Sequence, residues 1–228
     1  PAGVDAEVNR SRNALALGDP KEAMQAALAA LKLRPDHVGA RNSKALALLA
    51  LGRKEEALHF LQETLRLDPQ SALTLVNLAH CSRECGRAEE ALRWFREALP
   101  FAAPLELEGL LPILLDAGRV QEALQLCDRI LGVDPRSVPT WNHKSIALRR
   151  LGDAAGAVDA ADRALALNPR HAKASVNRAN ALMHAGRFAE VIESAQRAME
   201  IDPQLAGAYL ALAAALGEMG RPGEAKAC

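Results

Sequence analysis

Apolar residues along the chain fall into helix-length blocks of about 14 positions, each fenced by a glycine at one end and a proline at the other. One such block lies between Pro35 and Gly52 and a second between Gly52 and Pro69, and both lean on Ala and Leu. Those two residues are strong helix formers, whereas β-branched and aromatic residues mark strands. The chain is 50% hydrophobic but only 3% aromatic, so the pattern predicts closely packed helices and an all-α fold, with at least ~75% of residues helical.

The fences recur. Glycines stand at 18, 52, 86, 118, 152, 186 and 220, in steps of 34, 34, 32, 34, 34 and 34. Prolines at 35, 69, 135, 169 and 203 each follow a glycine by 17 residues. Five residues after each glycine stands a small residue: Ala23, Ala57, Ala91, Ala123, Ala157, Val191 and Ala225. A glycine can take the left-handed conformation that ends a helix, and a proline cannot continue one. The repeating unit is therefore helix A, a glycine turn, helix B and a proline turn. Asp19-Pro20-Lys21-Glu22 reads as an N-cap, a proline at the first helical position and an acid in the first turn. The small residue after the glycine turn suits close approach of helix B to helix A.

This pattern resembles the tetratricopeptide repeat. Ala45, Leu48, Gly52, Ala57, Leu61 and Pro69 carry the resemblance in one unit, and Trp141, Leu148, Gly152, Ala157, Ala164 and Pro169 in another. The resemblance implies a right-handed superhelical α-solenoid of stacked antiparallel helix pairs, spanning 4–228 as one domain. Its units are 4–37, 38–71, 72–103, 104–137, 138–171, 172–205 and an incomplete 206–228. The family's large aromatic positions are mostly Ala or Leu here, with Trp141, Tyr209, Phe95 and Phe188 as remnants. The 32-residue step is irregular: Leu99–Pro104 replaces the usual proline turn, and Pro112 falls inside helix A of the fourth unit, where a kink is expected.

In this family the side of helix A away from the packing positions lines a groove. That side carries Asn9, Asn42, Asn77, His80, Asn142, His143, Arg149, Arg150, Lys173, Asn177 and Asn180. Asn is a mediocre helix former, so its recurrence mid-helix calls for a reason. A carboxamide can pair with both groups of a peptide bond. A row of them is similar to the asparagine ladder of O-linked N-acetylglucosamine transferases, and implies a grip on an extended peptide. Family members that hold chaperone C-terminal tails clamp a carboxylate with Lys, Asn and Arg, and Lys173 and Asn177 match two of those positions. The expected ligand is a protein or peptide, acidic or carboxylate-bearing.

Lys+Arg and Asp+Glu are each 28, which argues against a general nucleic-acid binder. No apolar run approaches the ~20 residues of a membrane span. Four cysteines make no disulfide framework and point to a reducing, cytoplasmic setting. His80, Cys81 and Cys85 lie within one and a half helical turns but lack a fourth ligand, so no zinc is expected and Cys81 reads as a packing residue. No phosphate loop, metalloprotease motif or nucleophile–base pair is present, so the chain is not expected to be an enzyme or to need a cofactor. The leading expectation is a protein–protein interaction scaffold. The alternatives are the substrate-presenting repeats of a larger glycosyltransferase, and a self-association module. The stretch AGAYLALAAALGEM, from 206 to 219, is polar on no face and no capping helix follows, so the chain is expected to be a fragment whose Tyr209, Leu212 and Leu216 seek cover from a second copy.

Overall fold

The computed structural model describes residues 2–225. These residues form fourteen α-helices and one 3-10 segment, with no strand among them. The chain divides into two compact units, residues 1–117 and 118–228. The first holds α1 (Ala2–Ala16), α2 (Pro20–Leu33), α3 (Val38–Ala50), α4 (Lys54–Leu67), α5 (Ala72–Glu84), α6 (Ala88–Ala98), a 3-10 segment (Pro104–Leu110) and α7 (Leu111–Asp116). There α1, α3 and α5 lie side by side as a layer of A helices, backed by the B helices α2, α4 and α6. The second holds α8 (Val120–Val133), α9 (Val138–Arg150), α10 (Ala154–Leu167), α11 (Ala172–His184), α12 (Phe188–Ile201), α13 (Ala206–Glu218) and α14 (Pro222–Ala225). Its A layer is α9, α11 and α13, backed by α10 and α12.

Each A helix ends as its glycine dictates. All seven fence glycines have φ between 70° and 86°, a region closed to most side chains. At Gly52 the chain turns so that the Gly52 N–H reaches the Leu49 carbonyl at 3.0 Å and the Arg53 N–H reaches that of Leu48 at 2.9 Å, a Schellman closure. The following residue starts helix B. Where it is Asp, its carboxylate accepts backbone N–H groups: Asp19 from Lys21 and Glu22, Asp153 from Gly156. Where it is Arg, it pairs with a Glu three residues on, as at Arg53–Glu56, Arg119–Glu122, Arg187–Glu190 and Arg221–Glu224. The recurring Gly-Arg-x-x-Glu-Ala is thus a turn, a surface ion pair and a contact residue in succession. The contact residue is fully buried at Ala23, Ala57, Ala91, Ala123, Ala157 and Val191.

Two expectations are corrected. Pro112 does not kink a continuous helix: residues 104–110 are wound as 3-10 helix, and Pro112 is the second residue of α7. Pro112 has no N–H for the Glu108 carbonyl four residues back, and the Leu111 N–H takes that carbonyl instead. In α13, Leu212 and Leu216 are 7% and 4% exposed and need no cover from a second copy. They pack with Leu182, Val191 and Ala195 of α11 and α12. The large apolar residue that helix leaves exposed is Leu210, at 72%.

Candidate functional site

In the first unit Asn42 sits on the side of α3 that a helical wheel assigns to the groove, yet it is 1% exposed. Its Nδ2 donates to the Val38 carbonyl and to Thr74 Oγ1, both at 2.9 Å, and its Oδ1 accepts from Asn77 Nδ2 at 2.7 Å. Thr74 Oγ1 in turn donates to Ser71 Oγ at 2.9 Å. Asn42 therefore joins α3 to α5 and has no amide atom left for a ligand, which corrects the groove reading at this residue. Asn77, 7% exposed, spends one N–H on Asn42 and keeps its carbonyl oxygen uncommitted among the described residues. Asn9 on α1 is exposed. His80 on α5 is half-buried beside Leu15, Leu46, Leu49, Lys54 and Glu84, where burial holds its imidazole below the ordinary value.

The second unit repeats the amide pair. Asn177 Nδ2 on α11 donates to Asn142 Oδ1 on α9 at 2.7 Å, and Asn142 is 8% exposed. The Asn177 carbonyl oxygen has no partner among the described residues. Along α11, Lys173, Asn177, Asn180 and His184 are spaced by 4, 3 and 4 residues and so form one stripe from the first turn to the last. Arg149 and Arg150 end α9, and Arg149 Nη1 lies 3.4 Å from His184 Nε2. The cations predicted to act together thus stand at opposite ends of the stripe, Lys173 about 16 Å from His184 by helical rise. His143 is half-buried on α9. Arg149 makes no ion pair among the described residues. Burial first, then the like charge of Arg150, hold its guanidinium below the ordinary value.

The Cys81 thiol is buried and points its sulfur to the Lys54 carbonyl at 3.5 Å. Burial pushes it up to about 12, so it stays protonated at neutral pH.

Sequence reasoning missed three recurring polar contacts. Ser11 and Ser145 donate from helix A to the carbonyls of Ala23 and Ala157 in helix B, at 2.8 and 2.7 Å. Two residues after four of the five prolines stands a capping side chain: Ser71 and Ser137 accept with Oγ, and His37 and His171 accept with Nδ1 from Ala40 and Ala174 at 3.1 and 3.0 Å. Trp141 and Tyr209 donate to the carbonyls of Pro135 and Pro203 at 2.9 and 3.0 Å. Their shared register with the fences was the available signal.

No helix among the described residues is long and apolar enough to cross a membrane. A family model described as tetratricopeptide repeat matches residues 8–72 and 144–206, and a second model of that description matches 71–102. No curated protein matches the sequence. Among solved structures, a chain of the Cut9–Hcn1 hetero-tetramer of the APC/C aligns with a TM-score of 0.81 at 18% identity, over 93% of this chain and 43% of that one. PilW, a widely conserved type IV pilus biogenesis factor, aligns at 0.77 and 16%, over 92% and 98%. YrrB, a tetratricopeptide protein with an unusual peptide-binding site, aligns at 0.64 and 19%, over 82% and 98%. This chain thus spans less than half the length of the Cut9–Hcn1 chain it matches.

Proposed function

This chain belongs to the tetratricopeptide repeat family, and from that premise we propose that it is a protein-interaction module whose helix-A face in residues 118–228 takes an acidic peptide segment. The observation that carries the reading is Arg149. A half-buried guanidinium with no carboxylate partner in the described chain, crowded by Arg150, gains from an anion placed on it. Lys173 offers a second cation at the far end of the stripe, and Asn177 between them presents an uncommitted carbonyl to a peptide N–H. An extended peptide rises about 3.3 Å per residue, so two acids roughly five residues apart span the stripe. On this reading the chain works by binding, not by catalysis.

The test is fluorescence anisotropy with two synthetic peptides of one composition, one with its two Glu residues five positions apart and one with them adjacent. Charge-assisted hydrogen bonds are each worth roughly 1.5–3 kcal/mol, so Arg149→Ala and Lys173→Ala should each weaken the spaced peptide about tenfold and flatten its salt dependence. Equal binding of both peptides, or no loss in either variant, refutes the site.

A second reading, self-association, is favoured by the exposed face of Ala206, Leu210 and Ala214 on α13. Light scattering across a concentration series should show association that Leu210→Glu abolishes. A monomer at every concentration excludes it.

A further inference from the structure

The B-helix side of the first unit carries an unmatched cation that its counterparts elsewhere in the chain do not. Eight residues before a fence glycine stand Lys44, Lys144 and Arg178, each on an A helix beneath the preceding helix B. Ten residues after the preceding fence glycine stand Leu28, Asp128 and Asp162. In the second unit the two positions meet as ion pairs, Lys144–Asp128 at 2.7 Å and Arg178–Asp162 at 2.6 Å. In the first unit the carboxylate is missing. Leu28 stands there, 42% exposed, and Lys44 makes no ion pair among the described residues. Its ammonium instead lies 4.2 Å from the centre of the Phe60 ring, and Arg41 stacks on the same ring at 4.4 Å. Two cations sharing one ring repel each other, and the acids nearby are committed: Glu56 to Arg53 at 2.6 Å, Glu63 to Arg41 at 3.7 Å and His59 at 3.3 Å.

The shape follows the charge. Two hollows of about 650 and 590 Å³ meet at Leu28, Lys44 and Phe60, and together run along α2 from Met24 to Lys32, with Pro35 beyond the helix end. Met24 to Lys32 is just over two helical turns, about 12 Å. At the same place in the second unit the hollow between α10 and α12 holds only about 270 Å³, and Arg178 with its ion pairs fills it.

We propose that the groove between α2 and α4 docks an amphipathic helix of a partner protein, which lays its apolar face over Leu28 and Phe60 and sets an Asp or Glu on Lys44. The occupant's carboxylate takes the place that Asp128 and Asp162 fill from within the chain, so the repeats themselves display the recognition chemistry. Leu28 and the Phe60 ring supply the apolar contact that a helix in a groove requires, and Lys32 and Arg41 at the rim select acidic over basic partners.

The experiment uses the chain as it stands and a stapled helical peptide of roughly 16 residues, fluorescein-labelled, with Leu at i and i+7 around a Glu at i+4. Anisotropy should show saturable binding to the native chain. Leu28→Asp restores the internal carboxylate on Lys44, and should weaken binding at least tenfold while leaving the melting temperature unchanged or raised. Lys44→Gln, and a peptide with Glu replaced by Gln, should each weaken it at least fivefold. No binding to the native chain, equal binding of the Gln peptide, or undiminished binding to a well-folded Leu28→Asp chain overturns the proposal. Sedimentation of the native chain alone covers one more outcome. Self-association that Leu28→Asp abolishes would assign the groove to a second copy and overturn the partner helix.

Discussion

Replacing Asn42 by Ala separates a role inside the repeat stack from a role in ligand binding. The substitution removes two hydrogen bonds between α3 and α5: Asn42 Nδ2 to Thr74 Oγ1 at 2.9 Å, and Asn77 Nδ2 to Asn42 Oδ1 at 2.7 Å. The Val38 carbonyl keeps its helical partner, and Thr74 keeps Ser71. What remains exposed to penalty is the Asn77 N–H, left without an acceptor on a residue only 7% exposed. Two net hydrogen bonds at about 0.5–1.5 kcal/mol each, plus about 1–3 kcal/mol for one stranded buried donor, give a loss of roughly 2–6 kcal/mol. For a chain of this length each kcal/mol moves the melting point by roughly 2–4 °C, so Tm should fall by about 4–24 °C.

The assay is thermal and guanidinium unfolding followed by far-ultraviolet circular dichroism, with Asn9→Ala as the exposed control, expected within about 0.5 kcal/mol of the native chain. The Asn42→Ala, Asn77→Ala double variant should lose less than the sum of the single losses, because the second substitution removes the stranded donor. An Asn42→Ala chain that melts with the native one, or a strictly additive double variant, would refute the stacking role.

His171 caps α11 with a neutral Nδ1, and burial first, then Lys173, hold its imidazole below the ordinary value near 6.5. The capping contribution is complete above that value and lost as pH falls through the depressed one, so Tm should drop between pH 7.5 and 5 more in the native chain than in His171→Ser. Equal drops would remove the cap from the account. Gly52 has φ +79° with open space around the position of a Cβ, so Gly52→Ala carries only the backbone penalty, about 1–2 kcal/mol by chemical denaturation. A loss near zero would mean the turn relaxes. Cys81, with its thiol near 12, should react with iodoacetamide at pH 8 more slowly than the less buried Cys85, whose thiol burial also raises, by peptide mass spectrometry. Equal rates would show that the α5 end opens.

The fold was readable because its punctuation is local. A glycine that must take positive φ and a proline that cannot continue a helix leave their marks wherever they stand, so seven registered glycines set the helix pairs before any contact is known. The 104–116 segment was misread for the same reason. A proline inside a helix-length block signals a lost hydrogen bond, but only the backbone shows that the Leu111 N–H takes the orphaned carbonyl and that the block opens as 3-10 helix.

Side-chain roles were less readable because a helical wheel describes one helix, while each A helix in these units touches its own B helix, the preceding B helix and the neighbouring A helices. The wheel puts Asn42 and Asn77 on one side of their helices alike. Stacking separates them: α5 covers Asn42, the fifth position of its repeat, and Asn77, the sixth position of the next, keeps a carbonyl uncommitted. Asn142 and Asn177 repeat the arrangement one hundred residues later, so it belongs to the stack and not to one accident of packing. The same logic governs the cations at Lys44, Lys144 and Arg178. Their carboxylates come from 16 residues upstream, a separation at which neither a helix nor a turn makes neighbours. Only superimposing one repeat on another shows that Leu28 stands where Asp128 and Asp162 stand. Of the three repeats that place a cation in this register, only the one with Lys44 lacks the acid, and that is what marks the α2–α4 groove as a surface made for something outside the chain.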